Sequence, residues 1–291
     1  MWTKVKPEYL MGRIIDDTTT YHRLVLTYSD ADYSARAKYD CGVYFVFSCK
    51  TSKLNIKTKV HYKPTTDNRK VAGEIQVLGK IENDDYWELL NITYRYPKAL
   101  ADKETILSFI LPHRYSEFQV CLPAQGRVDD ILDIETDTEP VFHKLPLKTV
   151  FLGSSVTQDN NSSSHMNLCC YLYRKLGINA ATVGISYHNT ITCPEVLEKL
   201  LLLPQETKFI VMDLINITAE DLDNFRQLFT DRHLHFLVIN CRCKYEVVNL
   251  LTNNKDIEVI DINADGHYDR IHLNDYGTVL YYEALQNKKF L

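Results

Sequence analysis

Nucleophilic acyl transfer requires a nucleophile, a base and a group that orients the base, and the second half of the chain supplies them in Ser155, His272 and Asp269. A serine hydroxyl is a weak nucleophile at neutral pH, so it needs a base within hydrogen-bond reach, most often a histidine that a carboxylate orients. Asp269 and His272 are three residues apart in "HYDRIHLNDYG", so one loop can hold both. The three residues predict a site in which Ser155 attacks an ester carbonyl and His272 moves its proton.

Acyl transfer also needs hydrogen-bond donors that stabilise the oxyanion of the tetrahedral intermediate. The candidate donors are the backbone N–H groups of Ser155 and Gly184 and the side-chain amide of Asn216. Other interpretations stay open for these residues. Gly184 suits any strand end that requires a small residue, Asn216 could serve only to start the following helix, and Gly153 to Ser155 could form a purely structural turn.

From Leu147 onward, the sequence alternates between strand and helix patterns. The predicted strands are "KTVFLGSS", "NAATVGIS", "KFIVMDLI", "LHFLVINC" and "IEVIDIN", and the predicted helices are "SHMNLCCYLYRKLG", "PEVLEKLLLL", "TAEDLDNFRQLF", "YEVVNLLTNN" and a last one from about Asn274 to Gln286. Five strands that are each followed by a helix predict a parallel sheet covered on both faces. In such sheets, ligands bind beyond the carboxyl ends of the strands, which is where the candidate residues fall.

The first 145 residues have a different pattern, with short strand-like runs and no helical spacers between them. The runs are "YHRLVLTYS", "CGVYFVFSC", "LNIKTKVHYK", "GEIQVLGKI", "YWELLNITYRY", "TILSFILP" and "SEFQVCL". Closely spaced strands of this kind predict a β-sandwich or jelly roll. We therefore expect an all-β domain over residues 1–145 and an α/β domain over residues 146–291.

The α/β half resembles the SGNH hydrolases, also called GDSL-like esterases, over residues 147–291. "FLGSSVTQ" resembles their first block, with Ser155 as the nucleophile and Ser154 where Asp is commoner. "TVGIS" resembles the second block, whose glycine is Gly184, and "DRIHLNDYG" resembles the fifth block, which assigns Asp269 and His272. "DLINIT" departs from the third block because Leu214 and Ile217 replace its glycine and aspartate, although Asn216 is present.

The resemblance implies a flavodoxin-like fold with a five-stranded parallel sheet. The β-rich first half is similar to a branch with an N-terminal jelly-roll domain, found among carbohydrate esterases and natural-product acyltransferases. The implied function is that of a serine esterase or acyltransferase that forms an acyl-enzyme on an acyl ester of a sugar, glycoside or secondary metabolite. The divergent third block favours an alternative, a non-catalytic binding protein built on a decayed hydrolase domain, for which Ser155 and His272 should lie beyond hydrogen-bond range.

Composition argues against several other classes. With 33 basic and 38 acidic residues and a net charge of −5, the chain lacks the basic surface that nucleic-acid binding requires. We find neither a signal-peptide core at the N-terminus nor a run near the roughly 20 apolar residues that span a bilayer. The eight cysteines are scattered, which favours reduced thiols. We expect a cytoplasmic protein that binds neither nucleic acid nor membranes; its oligomeric state is open.

No metal or cofactor is expected. His233, His235, Cys241 and Cys243 are possible zinc ligands, but on one extended strand the first and last would lie about 33 Å apart, too far to share an ion. Three further polar residues, Ser186, His188 and Asn189, follow the second strand of the α/β half, and we do not include them in the catalytic set. Asn274 and Asp275 are predicted to cap the last helix.

Overall fold

The structure, a computed structural model, describes residues 1–14, 19–27, 34, 36–62, 75–90, 102–124, 126–158, 162–185, 188–240, 250, 253–262, 264–267 and 272–291. Within these residues, the strands are β1 (Trp2–Lys4), β2 (Tyr44–Ser48), β3 (Leu54–Tyr62), β4 (Gln76–Ile81), β5 (Trp87–Leu89), β6 (Thr105–Phe109), β7 (Tyr115–Cys121), β8 (Gly126–Glu135), β9 (Val141–His143), β10 (Leu147–Leu152), β11 (Asn179–Thr182), β12 (Lys208–Val211), β13 (His233–Ile239) and β14 (Ile257–Ile260). The α-helices are α1 (Leu168–Leu176), α2 (Pro194–Leu201), α3 (Ala219–Leu228) and α4 (Asp275–Asn287).

The second half forms the predicted five-stranded parallel sheet, in the order β11-β10-β12-β13-β14. This is the flavodoxin-like order, in which the chain runs from β10 outward to β11 and then returns to β12 on the other side of β10. The connections on the two sides of β10 diverge, so a crevice opens at the carboxyl ends of β10 and β12. The fold therefore places the carboxyl ends of β10 and β12 side by side, as the candidate site requires.

Local sequence signals set several of the helix ends in the described residues. The Asn167 side chain accepts a hydrogen bond from the backbone N–H of Cys169 at the start of α1, and Gly177 ends α1 with a φ of 64°. Thr218 and Asp221 form a reciprocal capping box on α3. The helix predicted in "YEVVNLLTNN" lies mostly outside the described residues. No helix in the described ranges is long and apolar enough to cross a bilayer.

The first half contains two antiparallel sheets, with strand orders β1-β8-β3-β6 and β5-β4-β7-β2-β9. The side chains of β2 alternate between two cores. Phe45 and Phe47 pack between the two sheets, whereas Tyr44 and Val46 pack against α1 and the parallel sheet. A strand buried on both faces has a continuous apolar sequence, as "VYFVF" has. The sandwich is as predicted, and the division at residue 145/146 and the jelly-roll connectivity stay predictions.

The strand predicted in "YHRLVLTYS" is wrong for residues 21–27, which form neither strand nor helix. Leu24 and Leu26 instead join Ile14 and Ala37 in the core cluster of the parallel sheet. The backbone N–H of Thr27 donates to Glu195 Oε1 of α2 at 2.8 Å. Leu24 and Leu26 are thus buried against the α/β half without strand pairing, because tertiary contacts override the strand pattern.

Candidate active site

Ser155 and His272 lie within hydrogen-bond distance at the carboxyl edge of the parallel sheet. His272 Nε2 is 2.9 Å from Ser155 Oγ, although the residues are 117 positions apart. Ser155 lies in the turn after β10, and His272 lies just before α4; both side chains are partly buried. The arrangement can transfer a proton between the hydroxyl and the imidazole. Asp269 lies outside the described residues, so its orienting role stays a prediction.

The turn that carries Ser155 requires a glycine at its first position. Gly153 has a φ of 155°, and a Cβ there would lie 2.1 Å from Thr157 Oγ1 and 2.3 Å from Asp213 Oδ2. The Gly153 N–H donates to Thr190 Oγ1 at 3.1 Å, and its carbonyl accepts from the Thr190 N–H at 3.0 Å. The turn is therefore built into the protein interior and has little freedom to move.

Asp213, just after β12, holds this turn with its carboxylate and was not among the site residues predicted from the sequence. Its Oδ2 accepts from Ser154 N–H and from the Thr157 hydroxyl, both at 2.8 Å. Its Oδ1 accepts from Asn189 Nδ2 at 3.3 Å. Burial raises the pKa of the Asp213 carboxyl, and the hydrogen bonds from Ser154 and Thr157 act in the opposite direction. One signal in the sequence could have identified Asp213: it is an acidic residue in the apolar run "FIVMDLI". A carboxylate buried in such a run needs several hydrogen-bond donors, which indicates a structural or functional role.

Gly184 lies against the same turn. A Cβ on Gly184 would come within 2.3 Å of both Ser154 O and Gln158 N, so no side chain fits there. The steric interpretation of this glycine is therefore supported, and it is compatible with donation to an oxyanion beside Ser155. The donor role stays a prediction.

Asn216 follows β12 and has an exposed side chain and a φ of 61°. It does not cap the next helix, because the Thr218 side chain accepts from the Asp221 N–H and Asp221 accepts from the Thr218 N–H. The N-cap of α3 is thus Thr218 and not Asn216. Its role as the third oxyanion donor stays a prediction.

Among the other residues after the second strand, Asn189 is a structural residue. Its side chain is buried and donates to the carbonyl oxygens of Asp213 and Ile215 at 3.2 and 3.3 Å. Asn189 therefore links the loop after β11 to the loop after β12. His188 is exposed. Ser186 lies outside the described residues.

The segment that carries His272 is fixed at both ends. His267 and Leu273 form an isolated antiparallel bridge, and Asn274 Oδ1 caps α4 by accepting from Gly277 N–H at 2.9 Å. The predicted N-cap is therefore confirmed for Asn274. It is wrong for Asp275, which is the first residue of α4 and accepts from the N–H and hydroxyl of Ser163, each at 2.7 Å. The carboxylate of Asp275 thereby connects α4 to the segment before α1.

Within the described ranges, no cluster of three or more His, Cys, Asp or Glu side chains could hold a metal ion. His233 and His235 lie on β13, where the His235 ring stacks on Phe290 with centroids 4.4 Å apart. Cys241 and Cys243 lie outside the described residues.

No protein-family model and no curated protein matches the chain. Solved structures do match along nearly its whole length. A protein named as a GDSL-like lipase from Bacteroides ovatus has 18% identity and a TM-score of 0.71, over 99% of this chain and 98% of that one. The salicylyl-acyltransferase SsfX3 from a tetracycline biosynthetic pathway has 13% identity and a TM-score of 0.63, over 97% and 95%. A family two carbohydrate esterase from Cellvibrio japonicus has 13% identity and a TM-score of 0.54, over 99% and 96%. The chain therefore has the fold of these proteins, including both its β-rich half and its parallel-sheet half.

Proposed function

We propose that this protein is a serine esterase or acyltransferase that forms an acyl-enzyme on Ser155. The observation that carries the proposal is the 2.9 Å separation of Ser155 Oγ and His272 Nε2 at the carboxyl edge of the parallel sheet. A serine hydroxyl in contact with an imidazole is the minimum arrangement for a nucleophile activated by a general base. The buried hydrogen bonds that hold the Ser155 turn keep this geometry in place before substrate binds.

In the proposed reaction, Ser155 Oγ attacks the carbonyl carbon of an acyl ester while His272 Nε2 takes its proton. The tetrahedral oxyanion accepts hydrogen bonds from the N–H groups of Ser155 and Gly184 and from the Asn216 side chain. Its collapse expels the alcohol, which receives the proton from His272, and leaves the acyl group on Ser155. Water or an acceptor hydroxyl or amine then takes the acyl group by the reverse sequence. Asp269 orients the imidazole throughout.

For the substrate we propose an acyl ester of a sugar, glycoside or secondary metabolite. The proteins with the same fold are named as a lipase, a salicylyl-acyltransferase and a carbohydrate esterase, and acyl-ester chemistry is common to these names. Hydrolysis and transfer differ only in what resolves the acyl-enzyme, so both remain within the proposal.

The alternative, a non-catalytic binding protein, requires a site in which the nucleophile and base are no longer in contact. The Ser155–His272 distance does not favour it. A protein selected only for binding has no physical need to hold a serine hydroxyl against an imidazole.

The proposal is tested by intact-protein mass spectrometry after treatment with a fluorophosphonate probe, which labels only activated serines. We expect single labelling of the wild type, none of Ser155→Ala, and labelling of the neighbouring Ser154→Ala variant. In the His272 loop, Asp269→Asn should slow labelling, whereas Asp265→Asn, which changes an exposed acid of the same region, should not. A folded wild type that is not labelled, or a label that persists in Ser155→Ala, would contradict the proposed nucleophile.

A further inference from the structure

A second concave surface lies between the β-rich half and α1, and it contains neither Ser155 nor His272. It is a groove of 690 Å³, with one wall from β4, β5 and the turn between them and the other from α1 and the residues before it. We call it the β4–α1 groove. A groove of this size is large enough for a small organic ligand.

One wall of the β4–α1 groove exposes flat and apolar side chains. Tyr86 is 62% exposed and Leu89 42% exposed, and the partly buried Trp87 packs edge-on against Tyr173 at 6.3 Å between centroids. The ring of Trp87 thus packs against α1. Exposed aromatic faces in a concave site favour a planar ring as the ligand.

The opposite wall supplies positive charge. Arg174 and Lys175 lie one turn after Tyr171 on α1, and both cationic groups are positioned over its ring, at 5.6 and 5.5 Å from the centroid. Arg174 Nη1 donates to Gln119 Oε1 at 2.7 Å, a neutral acceptor that fixes the guanidinium without neutralising it. Among the described residues, no carboxylate forms an ion pair with Arg174 or Lys175.

The other titratable groups of the groove do not compensate these charges. Lys80 and Asp85 form an ion pair at 2.9 Å and cancel each other. His165 is neutral at pH 7, because burial and the nearby Arg174 lower its pKa to about 4. The described side chains that line the groove therefore sum to an excess of two positive charges, while Asp275 and Glu283, which are not part of the lining, act on His165 and Tyr171. Charge complementarity favours an anionic ligand.

The polar groups of the groove suit an aromatic ring better than a sugar ring. Sugar hydroxyls need acceptors as well as donors, yet the described residues that line the groove include no Ser, Thr, Asn or Gln, and the one carboxylate among them, Asp85, is paired with Lys80. An aromatic ring needs no such partners. We propose that the β4–α1 groove binds an aromatic anion, with the ring against Tyr86 and Trp87 and a carboxylate or phosphate against Arg174 and Lys175. This proposal is independent of the proposed acyl-transfer function.

Trp87 provides a direct readout, because the chain has only one other tryptophan, Trp2. In a Trp2→Phe protein, all indole fluorescence comes from Trp87. Phenylacetate and phenyl phosphate would be titrated with excitation where only indole absorbs, alongside the neutral phenylacetamide and the non-aromatic anions acetate and glucuronate. We expect a saturable change of Trp87 emission with one or both aromatic anions, and the stronger of the two identifies the anionic group that the site prefers.

Charge reversal of Lys175 tests the location of the anion. Lys175 is exposed and makes no hydrogen bond in the described structure, so Lys175→Glu should leave the fold unchanged while it weakens binding by about tenfold. Lys255→Glu makes the same change at an exposed lysine outside the groove and should leave the dissociation constant unaltered. The proposal is overturned if no aromatic anion gives a saturable change, if phenylacetamide or glucuronate binds equally well, or if Lys175→Glu and Lys255→Glu have equal effects. Fluorophosphonate labelling of Ser155 does not depend on the groove. Failure of the groove proposal can therefore be distinguished from failure of the proposed acyl-transfer function.

Discussion

Ser155 and His272 are in contact, but the protein holds them in different ways. The turn of Ser155 is held by buried hydrogen bonds that reach Asp213 and Thr190. The segment of His272 is held by bonds at Asn274 and Asp275 that are partly buried or exposed. A donor or acceptor left unpaired in the interior loses its water as well as its partner, whereas an exposed group can bond to water instead. Substitutions around Ser155 should therefore reduce stability and reactivity together, and those around His272 should mainly reduce reactivity.

The largest effect is expected at Gly184. In Gly184→Ala, the new methyl group would lie 2.3 Å from the backbone atoms Ser154 O and Gln158 N, which cannot move aside as a flexible side chain would. We expect a loss of about 3 kcal/mol in the free energy of unfolding, measured by urea denaturation, because the Ser155 turn must shift. Labelling by the fluorophosphonate probe should fall to background in the protein that remains folded.

Gly177→Ala is the matched control for this change. Gly177 has a φ of 64°, but its Cβ would meet no atom within 4 Å, so the substitution costs only the left-handed backbone strain of about 1 kcal/mol. Its labelling rate should equal that of the wild type. If Gly184→Ala retains both stability and labelling, the close packing of Gly184 on the turn is not what positions Ser155.

Asp213→Asn should have the next largest effect. Both carboxylate oxygens of Asp213 accept hydrogen bonds, whereas an amide has one accepting oxygen and an NH₂ group that would face other donors. We expect a loss of about 2 to 3 kcal/mol in the free energy of unfolding and slower labelling of Ser155. Thermal or urea unfolding and the labelling rate, measured on the same samples, check both parts.

The control for Asp213→Asn is Asp223→Asn on α3, where the carboxylate is 67% exposed and 3.9 Å from Arg226. An exposed pair of this kind contributes little, so stability and labelling should both match the wild type. Equal stability of the two variants would show that the hydrogen bonds of Asp213 do not hold the turn.

The difference between the Ser155 turn and the His272 segment also explains which features the sequence could predict. The parallel sheet followed from its strand and helix periods, and the cap at Asn274 followed from a local signal that acts within four residues. Ser155 and His272 were identifiable because their residue types are those that the chemistry needs. Each of these features depends on short stretches of sequence.

The supporting residues were not identifiable in that way. Asp213 bonds to residues 56 and 59 positions away, and nothing near Asp213 in the sequence specifies those partners. Residues 21–27 alternate like a strand, yet Leu24 and Leu26 are buried against the α/β half and pair with no strand. Tertiary contacts decide such cases, so they appear only when the chain is folded.

Asn274→Ala should have the smallest effect on stability. It is also the most direct test of how the segment that carries His272 is held. The substitution removes the cap of α4 and the hydrogen bond from Asn274 Nδ2 to Asp265 O, at 2.7 Å. We expect a loss of about 1 kcal/mol in the free energy of unfolding. Labelling of Ser155 should slow by more than the small increase in unfolded protein explains, because the segment that carries His272 gains freedom while the fold persists.

Asn274→Ser is the control: it restores the cap acceptor but not the bond to Asp265. Recovered stability with slow labelling would therefore assign the positioning of His272 to that bond. If the Asn274→Ala variant is instead labelled as fast as the wild type, the position of His272 does not depend on these partly exposed contacts.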